Sequence, residues 1–208
     1  MAKHLSNVTL CFLGCGNQGA AILKGVLSAS SDKAEKPLFT RLIACVRSQN
    51  SEQKLAERFS QHLDKLVVSH SNNVQAVQAS DIIILGTDPA DIETVLRQPG
   101  LREALANKLL ISIAAGWTRE KLEQVLYGSE TRARNTSERA WVVRALPNIA
   151  AQVSESLTAI EMSEPAVPEP YIQITNETMW VKAVLKELKL VNTWWCKQRH
   201  DRQEGIRL

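Results

Sequence analysis

The sequence predicts an α/β fold, a doubly wound, mainly parallel sheet with helices on both faces. Three observations carry that expectation. Short apolar runs recur along the chain, charged segments of helical period separate them, and a glycine-rich turn joins the first run to the first such segment.

The elements follow in order. A first strand is expected over Val8–Leu13 and a helix rich in Ala and Leu over residues 19–29. Residues 30–36 are polar and read as a surface insertion. A second strand over 42–46 leads to a helix over 51–59, where Leu55 and Phe59 stand four apart on one face. Third and fourth strands are expected over 66–69 and Ile82–Leu85. Pro89 and Ala90 then precede a helical turn over 91–96, which Asp91 is placed to cap. A fifth strand over 109–114 is followed by an amphipathic helix within 117–127, with Thr118 as its cap and Leu122, Val125 and Leu126 at helical spacing. A second polar insertion, 128–139, precedes a sixth strand over Trp141–Leu146. Beyond Ile160, Pro165, Pro168 and Pro170 lead into a helical stretch over 179–190 with an apolar stripe of Trp180, Val184, Leu185 and Leu188, expected to pack on the sheet edge. The expected organisation is one α/β domain over 1–162, a proline-containing linker and packing helix over 163–190, and an irregular, disordered tail over 191–208.

Composition narrows the functional classes. At 208 residues, 44% hydrophobic and 23% charged, the chain can bury one sizeable core. The net charge is only +3, and its basic residues are interleaved with acidic ones, which argues against nucleic acid as a partner. No run reaches membrane-spanning length, and Val8–Leu13 passes into glycines without a cleavage pattern, so a soluble cytoplasmic protein with no membrane partner is expected. The four cysteines, Cys11, Cys15, Cys45 and Cys196, lack paired spacing and are expected as free thiols. The Asn-x-Ser/Thr triplets at Asn7, Asn135 and Asn176 are read as chance matches. His4, His62, His70 and His200 form no ligand pair with the cysteines, and no serine lies in a G-x-S-x-G context, so no metal and no hydrolytic chemistry are expected.

The chemistry concentrates in the first turn. Gly14, Cys15, Gly16, Asn17, Gln18 and Gly19 spell G-C-G-N-Q-G between a predicted strand and a predicted helix, the context in which G-x-G-x-x-G binds a dinucleotide. Gly14 permits the tight turn, Gly16 lets a pyrophosphate approach the backbone, and Gly19 lets helix and strand pack closely, while the helix N-terminus offers amides and a positive dipole. The domain is therefore expected to be Rossmann-type. At the end of the second strand, where NAD-specific enzymes place an acid, this chain has Arg47 and Ser48, which favours the 2′-phosphate of NADP(H) as cofactor. The plainer readings, a turn that only joins two elements and a solvated Arg47, stand beside these.

Four stretches together resemble the pyrroline-5-carboxylate reductases: G-C-G-N-Q-G from Gly14, L-G-T-D-P from Leu85, S-I-A-A-G from Ser112, and V-V-R-A-L-P-N from Val142. The resemblance runs from Met1 to about Ile160. It implies an adenosine-side contact at Asn73, a loop of Gly86, Thr87 and Pro89 beneath the nicotinamide ribose, and a nicotinamide side lined by Ala114, Ala115, Gly116 and Asn148. Where relatives carry A-V-K-P this chain has Gly86, Thr87, Asp88 and Pro89, an acid in place of a cation, and Asp88 is given no catalytic role.

The resemblance also implies an activity: NADPH-dependent reduction of 1-pyrroline-5-carboxylate to L-proline, with the cofactor carrying the chemistry. In that family a helical C-terminal domain, opening on S-G-S-G-P-A, supplies the substrate site and the dimer. Nothing after Ile160 resembles that motif, so the chain is expected to be truncated and no catalytic residue is assigned within it. Two alternatives remain open: a catalytically silent NADP-binding fragment, and another NADP-dependent imine or hydroxyacid reductase.

Overall fold

The computed structural model describes residues 7–29, 38–128, 138–146 and 159–161, together with Pro168, Tyr171 and Thr175. Seven strands form one sheet: β1 (Val8–Leu13), β2 (Phe39–Val46), β3 (Leu66–His70), β4 (Ile82–Leu85), β5 (Leu109–Ser112), β6 (Trp141–Leu146) and β7 (Ala159–Glu161). Their order is β3-β2-β1-β4-β5-β6-β7. The first six run parallel, and β7 pairs antiparallel with β6. This is the doubly wound dinucleotide-binding order, in which the winding direction reverses between β1 and β4 and opens a crevice at the carboxyl ends of those strands.

Helices α1 (Asn17–Ala29), α2 (Gln49–Arg58), α3 (Asn73–Gln78), α4 (Ile92–Leu96), α5 (Leu101–Ala104) and α6 (Arg119–Tyr127) cover both faces. Alternate strand residues divide between two cores. Leu10, Phe12, Ile82, Ile84, Leu109 and Ile111 pack with Ile22, Leu23 and Val26 of α1 and Leu55 of α2. Cys11, Leu13, Ile83, Leu85 and Leu110 pack on the opposite face with α3, α4, α5 and α6. Strands buried on both faces need apolar side chains at every position, which is why these runs do not alternate in the sequence.

Several boundaries differ from expectation. β2 begins at Phe39 instead of Leu42, and β5 ends at Ser112 instead of Ala114. The first helix starts at Asn17, two residues early, because Gly16 O already accepts from Ala20 N. α3, α5 and β7 were not expected. The stretch 179–190, the tail 191–208 and the insertion 30–36 lie outside the described residues, as do Cys196, Asn135 and Asn176. Cys11, Cys15 and Cys45 are free and buried, as the cysteine spacing predicts. Among the described residues no helix is long and apolar enough to cross a membrane.

Candidate functional site

The loops after β1, β2, β4 and β5 meet at the crevice. The β1–α1 turn is held by Gly14 in a left-handed conformation, φ +89°, which glycine adopts without steric cost. It presses on the β4 loop: a Cβ on Gly14 would lie 2.5 Å from Thr87 N, and one on Gly86 would lie 2.7 Å from Gly14 O. On the helix side a Cβ at Gly19 would stand 3.0 Å from Gly14 O, so Gly19 permits the tight contact of α1 with the turn. Gly16 differs from all three, because nothing lies within 4 Å of the position a Cβ would take.

That open space faces the start of α1, where Gly16, Asn17 and Gln18 are exposed. The first amides of a helix have no acceptor within it and carry the positive end of its dipole. Thr87 packs against Gly14, and its Oγ1 is buried with no hydrogen-bond partner among the described residues. The open space at Gly16, the first amides of α1 and the orphaned hydroxyl on the residue packed against Gly14 fit the pyrophosphate and ribose of a dinucleotide.

Cys15, grouped with this loop by its position in the motif, serves it from behind. Its N–H donates to Cys45 O at 2.8 Å and its thiol lies in the core at 6% exposure. Burial, then the neighbouring Cys45, push the thiol up to about 12. A hydrogen bond with Cys45, and then burial, likewise raise Cys11. A folded-state pKa above the unfolded value gives stability that is complete below about pH 8.5 and is lost as pH climbs toward the folded value. Cys15 alone should therefore contribute a loss on the order of 2 kcal/mol between pH 8 and pH 10.5, read as a fall in the urea midpoint. A midpoint that holds steady across that range would place the thiol in contact with water.

The remaining expected residues are distributed as follows. Arg47 follows β2 with its side chain 87% exposed, and its Nη1 donates to Asp91 Oδ2 at 3.1 Å. Ser48 caps α2, its Oγ accepting from Ser51 N. Asn73 opens α3, and its Nδ2 donates to Gln98 Oε1 at 3.2 Å. Pro89 O accepts from Trp117 Nε1 at 2.9 Å, which ties the β4 loop to the β5 loop of Ala114, Ala115 and Gly116. Ala114 is buried, while Ala115 and Gly116 are exposed, with Gly116 at φ +75°. Asn148 lies outside the described residues. Thus the β1, β2, β4 and β5 loops share one end of the sheet, and Asn73 stands on the β3 side of that end.

One expectation on the β4 loop changes. Asp91 stands at the first position before α4 but makes no side-chain cap, because its carboxylate turns to Arg47. Asp88 takes the local role instead: Oδ1 accepts from Ala90 N and its carbonyl from Asp91 N. The partnership of Asp91 and the bridge from Trp117 escaped the sequence, since each joins residues 44 and 28 positions apart. Thr118, by contrast, caps α6 as its spacing to Lys121 predicts. Among the described residues no group of three or more His, Cys, Asp and Glu could hold a metal ion.

Residues 9–116 match the family model described as NADP oxidoreductase, coenzyme F420-dependent. A pyrroline-5-carboxylate reductase of Lophium arboricola is 36% identical over 176 residues, covering 79% of this chain and 55% of that protein. A delta-1-pyrroline-5-carboxylate reductase of Curvularia clavata is 32% identical over 197 residues, covering 85% of this chain and 60% of that protein. The chain thus spans little more than half the length of these curated relatives. Among solved structures, a pyrroline-5-carboxylate reductase from Coxiella burnetii superposes with a TM-score of 0.67 at 20% identity, covering 86% of this chain and 58% of that one. A pyrroline carboxylate reductase from Plasmodium falciparum, solved with NADP bound, gives 0.62 at 24% identity, covering 86% and 57%. These two superpositions bear on the fold.

Proposed function

This chain belongs to the NADP oxidoreductase, coenzyme F420-dependent, family, and on that premise we propose that its crevice binds NADPH for the reduction of 1-pyrroline-5-carboxylate to L-proline. The observation that carries the cofactor is the open space at Gly16 in front of α1, at the point where the strand order reverses. The substrate rests on the relatives' names and on the shared motifs.

NADPH, when bound, supplies the hydride that adds to the C=N carbon. The chain's own residues bind and orient. Gly14, Gly16, Asn17, Gln18 and Gly19 present the turn and helix N-terminus to the pyrophosphate. Arg47 and Ser48 receive the adenosine 2′-phosphate, with Asn73 on the same side. Gly86, Thr87 and Pro89 support the nicotinamide ribose, and Ala114, Ala115 and Gly116 border the ring, a role the shared motif extends to Asn148. Asp88 keeps a local role in its turn. The buried thiols Cys11, Cys15 and Cys45 suit a reducing compartment, and we place the protein in the cytoplasm.

Initial rates of NADPH oxidation with 1-pyrroline-5-carboxylate test this reading, run beside NADH and beside Arg47→Ala. NADPH binding is expected, and the substitution should raise the apparent Kd for NADPH by about tenfold or more, the worth of a charge-assisted contact to phosphate, while NADH moves little. Turnover by this chain alone would place the substrate site within it. Tight NADPH binding without turnover would support a silent NADP-binding chain instead. Turnover only with a different imine would move the substrate and leave the cofactor in place.

A further inference from the structure

The cation at the end of β2 does not stand alone. Its guanidinium is engaged by a carboxylate that arrives from the far side of β1, on the connection between β4 and α4. We propose that Asp91 is a specificity-determining residue of the dinucleotide site, competing with the 2′-phosphate for Arg47 and so drawing the preference for NADPH over NADH toward parity. The inference rests on the dinucleotide reading above.

The geometry sets up the competition. Arg47 Nη1 donates to Asp91 Oδ2 at 3.1 Å, and the two side chains are 87% and 42% exposed, so both remain open to an arriving group. A phosphate is best held by two parallel guanidinium N–H bonds. Asp91 already occupies one arm of that fork. Its charge also faces the incoming phosphate, which carries close to two negative charges at neutral pH. Asp88, exposed on the same loop, adds a second acid to this side without touching Arg47.

An opposing effect has to be weighed: Asp91 could hold Arg47 ready for the phosphate. A single contact between two exposed side chains is a weak anchor, worth less than about fivefold in any equilibrium. Competition and repulsion act together against it. NADH carries a neutral 2′-hydroxyl at this position, which neither needs the guanidinium fork nor meets charge repulsion from Asp91. The sign is therefore fixed: removing the charge of Asp91 should favour NADPH alone. Because Asp91 makes no side-chain cap on α4, its replacement does not release the helix.

The test is a set of fluorescence titrations of the full chain with NADPH and NADH, for the wild type, Asp91→Asn, Asp91→Glu, Arg47→Ala and the Arg47→Ala/Asp91→Asn double variant. Asp91→Asn should tighten NADPH by about threefold to tenfold and leave NADH within about twofold. Asp91→Glu should behave as the wild type, and the gain should vanish in the Arg47→Ala background. Weaker NADPH binding by Asp91→Asn would make Asp91 an anchor and overturn the proposal. So would a parallel change for both dinucleotides, or a gain that persists without Arg47. If the wild type binds both dinucleotides and Asp91→Asn alters neither affinity, this inference alone fails. If the wild type binds neither, the dinucleotide reading fails and takes it down too.

Discussion

Gly14→Ala should destabilise the protein by about 3 kcal/mol or more, the sum of a left-handed backbone and an overpacked contact. The methyl would lie 2.5 Å from Thr87 N and 2.6 Å from Thr87 Cα, both backbone atoms that cannot swing aside. At φ +89° the residue also sits where L side chains are strained. Against the 5–15 kcal/mol that holds a typical domain, a loss of about 3 kcal/mol is a large fraction, and the urea midpoint should fall accordingly. An alanine variant as stable as the wild type would mean that the β1 and β4 loops do not touch as described.

Gly16→Val should produce the opposite pattern, a stable protein that has lost its ligand. No atom lies within 4 Å of the added Cβ, and valine at the start of α1 should cost about 1 kcal/mol through its poorer capping. The isopropyl group would fill the space in front of the helix amides, where a pyrophosphate must reach the backbone. NADPH affinity should drop by about a hundredfold or more, equivalent to roughly 2.7 kcal/mol, with little change in the melting midpoint. Unchanged affinity in that variant would remove the glycine turn from the cofactor site.

The contrast between these two glycines was only half legible in the sequence. Spacing assigned each a role because the G-x-G-x-x-G pattern constrains backbone conformation locally. What Gly14 touches depends on β4, seventy residues later, and became visible only with the strand order. The parallel strands were legible for a similar local reason, since burial on both faces forces continuous apolar runs. α3 and α5 were not, because six and four residues are too few to display a helical period. β7, three residues long at the edge, carries no pattern to detect. The sequence offers Arg47 as a cation for a 2′-phosphate and Asp91 as a helix cap. Their pairing follows from β2 and β4 flanking β1, a fact of topology.

The interlock of Gly14, Gly86 and Thr87 has a consequence for how such a chain can vary. A side chain added at Gly14 or at Gly86 meets backbone of the other loop, so substitutions there are poorly tolerated and neutral drift is nearly closed. Arg47 and Asp91 meet each other through exposed side-chain tips. If that pair sets the cofactor preference as proposed, mutational paths between preferences run through it one residue at a time, while the glycine turn beside it stays fixed.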